Sequence, residues 1–132
     1  MYLVTANEMQ QMDQETIRDI GIPGRILMEN AGSGAFRFMC RVFPDLEEKS
    51  VGVVAGRGNN GGDGFVMARY LSQKGIFVKV YLLCRKNKIQ GDARANLDLL
   101  AALCFLRVSA SETSTTGIPK GARRSRFALA SP

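Results

Sequence analysis

Apolar residues return every three to four positions in the first part of the chain. Met9, Met12, Thr16, Ile17 and Ile20 make one stripe, behind a Thr5-Ala6-Asn7-Glu8 start that has the form of a capping box. This predicts a helix with that stripe turned inward, ended by Gly21 and Pro23. Ile26, Leu27, Ala31, Ala35, Phe38, Met39 and Val42 recur at helical spacing and predict a second helix over 25–42, whose small residues Ala31, Gly32, Ser33, Gly34 and Ala35 suggest close packing against another element. The pattern then changes. Residues 50–55 and 77–83 are short β-rich apolar runs, and each precedes a helical stretch, at 62–74 and 92–103. Ala93, Leu97, Leu100 and Ala101 form the inner side of the last helix, and 104–108 reads as a third strand. Strand, helix, strand, helix, strand implies a parallel sheet with crossover helices. From residue 109 no period is sustained, so 109–132 is expected to lack order and 1–108 to form the domain.

Between the first strand and its helix lies Gly56-Arg57-Gly58-Asn59-Asn60-Gly61-Gly62-Asp63-Gly64. Glycines let the backbone approach a ligand and supply positive φ angles. The N–H groups at the start of a following helix face an anion. The layout is that of a phosphate cradle. The plain alternative is a tight turn in which Asp63 is the anion at the helix N-terminus, but such a turn has no need of two adjacent Asn residues.

Composition narrows the chemistry. The 132 residues hold no histidine, which excludes Ser-His-Asp and Cys-His catalysis and His-ligated zinc. Any acid or base must be Asp, Glu, Lys, Tyr or Cys. Cys40, Cys84 and Cys104 are widely spaced among apolar neighbours and read as buried free thiols. The net charge is +6, and its excess lies late, where Arg107, Lys120, Arg123, Arg124 and Arg126 face only Glu112. A solvated basic end is expected there, not a nucleic-acid surface. Lys79, Arg85, Lys86 and Lys88 read as solvated strand and loop charge. With no signal-peptide pattern and no long apolar run, the expected location is cytoplasmic, with no membrane contact.

Three segments resemble one known family. They are Glu8-Met9-Gln10-Gln11-Met12-Asp13 leading through Gly21-Ile22-Pro23-Gly24 to Leu27-Met28-Glu29-Asn30-Ala31-Gly32; the glycine loop; and Gly91-Asp92-Ala93-Arg94-Ala95-Asn96-Leu97. Together, in this order over residues 5–103, they resemble the NAD(P)H-hydrate epimerases, the YjeF N-terminal-like family. The resemblance implies an α/β fold: a three-layer α/β/α sandwich with a Rossmann-like parallel sheet, incomplete here and preceded by two helices. It implies epimerisation of the S and R forms of hydrated NADH and NADPH, a repair reaction, in a homodimer that binds a potassium ion. A dehydratase, fused or separate, would act in the same pathway. By the family's pattern Asn59, Asn60, Gly61, Gly62 and Asp63 bind the hydrate, Asn60 ligates potassium, and Asn30 faces the site. Glu29 reads as a solvated or structural carboxylate.

The same resemblance implies a later strand ending in Asp, then a Gly-Thr-Gly turn and a second Asp. No Gly-Thr-Gly occurs, and no Asp follows Asp98. The catalytic acid or base is therefore unassigned. The expectation is a C-terminally truncated or frame-altered member, with a non-catalytic nucleotide-binding or scaffold module of the same fold as the alternative.

Overall fold

The structure is a computed structural model that describes residues 3–112 and 127–130, with side chains through residue 103. Helix α1 (Ala6–Glu15) opens on the capping box expected for it. The Glu8 N–H donates to Thr5 Oγ1 at 3.3 Å, and the Thr5 N–H donates to the Glu8 carboxylate at 2.6 Å. A π-helical turn, Thr16–Ile20, continues α1 and stops at Gly21, whose φ of 80° is left-handed. Helix α2 (Gly24–Val42) follows Pro23. Strand β1 (Ser50–Ala55), helix α3 (Asn59–Gln73), strand β2 (Phe77–Leu82), helix α4 (Gly91–Glu112) and strand β3 (Phe127–Ala130) complete the order.

The sheet is parallel throughout, in the order β1-β2-β3. Val53 pairs with Val80 and Ala55 with Leu82. Alternation on the strands turns Val53, Ala55, Val78, Val80 and Leu82 into the core. Helix α3 covers that face and is itself flanked by α2 and α4. Phe65, Val66, Ala68 and Leu71 of α3 meet Leu97 and Leu100 of α4 in one continuous cluster with Ile76 and Ile89. On the opposite face of the sheet Val54 and Tyr81 are exposed. The fold is α/β with a Rossmann-like parallel sheet preceded by two helices; the described residues supply that sheet and the helical layer on one of its faces.

Three expectations are corrected. The third strand is not at 104–108, because α4 runs unbroken to Glu112. The run Leu99 to Leu106 is apolar enough for either state, and the length of the helix preceding it decides the matter. The third strand is Phe127–Ala130, within the segment expected to lack order, where it pairs with β2. Residues 113–126 and 131–132, also part of that segment, lie outside the described residues. The inner stripe of α1 is not inner: Met9, Met12, Ile17 and Ile20 are all exposed, and no residue of α1 is buried.

Helix α2 packs through part of its small-residue run, as expected, and leaves much of its apolar stripe outside the core. Met28, Gly32 and Ser33 are buried, with Phe36, Met39 and Cys40 packed beside them, while Ile26, Phe38 and Val42 are exposed. The reason is close approach. A Cβ on Gly32 would fall 2.5 Å from the Val66 side chain and 2.7 Å from the Asp63 carbonyl oxygen. The helix therefore presents its smallest residues to α3. Cys40 and Cys84 are free and only half-buried; the Cys104 side chain lies outside the described residues.

Candidate functional site

Helix α3 begins earlier than the glycine pattern suggests. Gly58 is its N-cap, so Asn59, Asn60, Gly61, Gly62, Asp63 and Gly64 already form its first turns. The loop proper is only residues 56–58, following directly on the C-terminal end of β1. The first helical bond of the turn is Gly62 N–H to Gly58 O at 3.1 Å. No side chain caps the N-terminus. The N–H groups of Asn59, Asn60 and Gly61 therefore point off the helix end without an intrahelical acceptor, in the positive field of a helix of 15 residues.

The glycines act by small size and not by unusual dihedrals. Left-handed φ occurs at Gly21, Gly75 and Gly91, and at no glycine of the loop. A Cβ on Gly61 would stand 2.1 Å from the Gly56 carbonyl oxygen, so the helix start lies directly on the loop backbone. A Cβ on Gly62 would meet the Met28 thioether at 2.5 Å and the Ala93 backbone at 3.1 Å. The N-terminus of α3 is thus held where α2 and α4 converge.

Each residue singled out from the sequence has a distinct place. Asn59 and Asn60 are exposed at the helix start, and their side chains make no hydrogen bond. Gly61 and Gly62 are buried as packing positions. Asp63 is half-buried on the second turn and is not the N-terminal anion of α3, whose first turn holds no acid. Burial pushes the Asp63 carboxyl above the ordinary range, and the Asp13 carboxylate of α1 adds to the rise. Asn30 lies exposed on α2, with no side-chain hydrogen bond of its own.

The neighbour of Asn30 does more than sequence reasoning allowed. Glu29 receives a hydrogen bond from the Tyr70 hydroxyl at 2.8 Å and pairs with the Arg69 guanidinium. Phe36 stacks on the Tyr70 ring with centroids 5.5 Å apart. The bond to Glu29 raises the Tyr70 hydroxyl above its usual pKa, and burial adds to this. This cluster ties α2 to α3 one helical turn beyond the glycine contacts. Its partners are separated by 40 residues in sequence, so no local pattern could have revealed it. A second feature missed was Asn96, buried to 1 % exposure on α4, which donates to the Asp92 carbonyl oxygen at 3.1 Å and leaves its own Oδ1 unpaired. Its helical spacing from Ala93 and Leu100 was the available signal.

A parallel sheet with a crossover helix that starts at the C-terminal end of β1 defines a Rossmann-like α/β domain. The particular family follows from comparison. The sequence model for the YjeF-related protein N-terminus matches residues 24–120, and the chain belongs to that family. It is 46% identical over 100 residues to the bifunctional NAD(P)H-hydrate repair enzyme Nnr of Moorella thermoacetica, covering 75% of this chain and 19% of that protein. It is 42% identical over 96 residues to the NAD(P)H-hydrate epimerase of Weissella koreensis, covering 73% of this chain and 42% of that one. The crystal structure of yeast ynu0 superposes with a TM-score of 0.70 at 25% identity, covering 99% of this chain and 47% of that one. The chain thus spans less than half the length of each of these relatives.

Proposed function

We propose that this chain interconverts the S and R forms of hydrated NADH and NADPH, and that the start of α3 supplies its substrate-binding residues. The observation behind this is the uncapped α3 N-terminus with two free Asn side chains beside it, in a chain whose relatives are named for that chemistry. The N–H groups of Asn59, Asn60 and Gly61 bind the pyrophosphate. The Asn59 and Asn60 amides orient the hydrated ring, with Asn30 of α2 contributing from the neighbouring helix. Gly61 and Gly62, packed against the Gly56 backbone and against Met28 and Ala93, hold the helix start in position for that contact.

Asp63, half-buried on the second turn of α3, adds a carboxyl to the contact with the hydrate. A carboxyl raised by burial holds its proton to higher pH than a free one. Epimerisation also needs bonds broken and re-formed at the hydrated carbon, with proton transfer by a positioned group. Binding of the phosphates alone gives affinity and no rate.

Potassium fits this donor set in kind. The Asn60 amide oxygen is neutral, exposed and free of hydrogen bonds, as a weakly held hard cation requires. No cluster of three or more His, Cys, Asp or Glu exists among the described residues, which argues against a tightly held divalent metal. Potassium would supply positive charge beside the phosphates, with Asn60 as one of its ligands. The exposed stripe of Met9, Met12, Ile17 and Ile20 supports a homodimer through α1. A dehydratase, fused or separate, would consume one of the two forms. No helix among the described residues is long and apolar enough to cross a membrane.

The test is the rate at which purified S-hydrated NADH equilibrates with the R form, followed by chromatography with and without potassium. Acceleration that needs potassium and is lost in Asn60→Ala is the expected result. Tight binding of the hydrate with no acceleration under either condition would instead establish the non-catalytic binding module.

A further inference from the structure

The described cations divide into two sets. Arg18, Arg25, Lys49, Arg69, Lys74 and Arg94 each pair with a carboxylate. Arg37 donates to Ser33, and Arg41 and Lys79 lie over aromatic rings. The remaining four, Arg57, Arg85, Lys86 and Lys88, have no side-chain partner among the described residues, and all four are exposed. Their positions are not scattered. Arg57 is in the loop after β1, and the other three follow the end of β2. The two strand ends are neighbours: Ala55 pairs with Leu82, and the Leu83 N–H donates to the Ala55 carbonyl oxygen at 2.9 Å. Every unpaired described cation therefore stands at the same edge of the sheet as the open N–H groups of α3.

The segment is also free of opposing charge. From Gly64 to Gly91 the sequence holds no Asp or Glu. The backbone after β2 is fixed rather than loose. A 3-10 turn spans Lys86–Lys88, the Lys88 N–H donates to the Arg85 carbonyl oxygen at 2.9 Å, and Ile89 beyond it is 2 % exposed. The Arg94 guanidinium reaches the Lys86 carbonyl oxygen at 3.5 Å from α4. In parallel α/β sheets that bind dinucleotides, the end of the second strand meets the ribose. An acid there reads a free 2′-hydroxyl, and a cation accommodates a 2′-phosphate.

We infer that Arg85, Lys86 and Lys88 form a subsite for a ribose phosphate monoester, which makes the chain selective for the phosphorylated dinucleotide over the unphosphorylated one. This rests on the reading of the α3 N-terminus as a nucleotide site. Arg57, on the glycine loop itself, serves the pyrophosphate that both dinucleotides share. The three cations one strand away add contacts that only the third phosphate makes.

Titration calorimetry with NADP+ and NAD+ as probes, at an ionic strength of about 0.15 M, tests the assignment on the whole chain. NADP+ is expected to bind about tenfold tighter, equivalent to about 1.4 kcal/mol. In the triple variant R85A/K86A/K88A the ratio should fall to about one while NAD+ affinity stays within about twofold. An unchanged thermal transition would show that this variant folds as the parent does. Equal binding of the two probes by the parent, or a ratio that survives the triple substitution, overturns the subsite and leaves the nucleotide site standing. Failure of both probes to bind removes the site and the subsite together. A single-stranded oligonucleotide that binds more tightly than NADP+ and is lost in the triple variant would reassign the patch to nucleic acid.

Discussion

Helices α1 and α3 look alike in pattern and differ completely in burial. Each carries apolar residues at helical spacing. Helix α3 buries Gly61, Gly62, Phe65, Val66, Ala68, Leu71 and Ser72, and α1 buries nothing. Met12 of α1 is 52% exposed and Phe65 of α3 is fully buried. Periodicity therefore identifies a stripe without saying what covers it. Helix α3 is covered because it lies between a sheet and two other helices, and that central position also fixes where its uncapped N-terminus lies.

Core substitution separates the two helices most sharply. Phe65→Ala should cost about 3–5 kcal/mol in denaturant unfolding, whereas Met12→Ala should cost less than about 0.5 kcal/mol. A Met12→Ala cost approaching that of Phe65→Ala would break the contrast. It would mean that the α1 stripe is buried against another surface in solution, and dependence of the midpoint on protein concentration would identify that surface as a second copy.

Gly32→Ala comes next, at about 1–3 kcal/mol, since the added methyl meets Val66 and the Asp63 carbonyl oxygen with no room to move. The same change at Gly34, whose nearest neighbour is the end of the Arg37 side chain at 3.9 Å, should be neutral or slightly stabilising. Equal effects at the two positions would sink the claim that α2 docks through Gly32. Thr5→Ala removes the cap of α1 and should lower its helicity, at about 0.5–2 kcal/mol of local helix stability. Because α1 buries nothing, amide exchange should speed up in α1 alone while α3 keeps its protection.

The smallest effect is expected at Asp63. Its carboxyl is raised above the ordinary value by burial first and by Asp13 second. Folding therefore favours the protonated form, and the stability gained from it is present below the unfolded pKa and lost as pH rises through the folded one. Asp63→Asn removes that loss. It should raise the melting temperature at neutral pH and make no difference below the ordinary carboxylate range. Asp13→Asn should give a smaller gain of the same sign. A lower melting temperature for Asp63→Asn at pH 7 would show that the carboxylate has a cationic or hydrogen-bonding partner in solution.

Much of this was legible in the residues where the determinants are local. The Thr5–Glu8 cap, the stop at Gly21, the strands at 50–55 and 77–82, and the inward set Ala93, Leu97 and Leu100 needed only neighbouring positions. What could not be read depends on partners far along the chain. The small run at 31–35 signalled close packing on α2, but that α3 is the element approaching Gly32 could not be read locally. The Glu29–Arg69–Tyr70 cluster joins residues 40 apart. The position of β3 depends on where the long α4 ends, and an apolar run of eight residues cannot decide between helix and strand. At the candidate site the motif itself was plain, but its glycines were assigned positive φ angles that the structure does not use.

The central claim is that the start of α3 is where the nucleotide binds. Amide NMR shift mapping during titration with hydrated NADPH tests it most directly. The largest changes should fall on the N–H groups of Asn59, Asn60 and Gly61, with smaller ones at Arg57 and Arg85. Changes concentrated on α1 or α2, with those three amides unmoved at saturation, would contradict it.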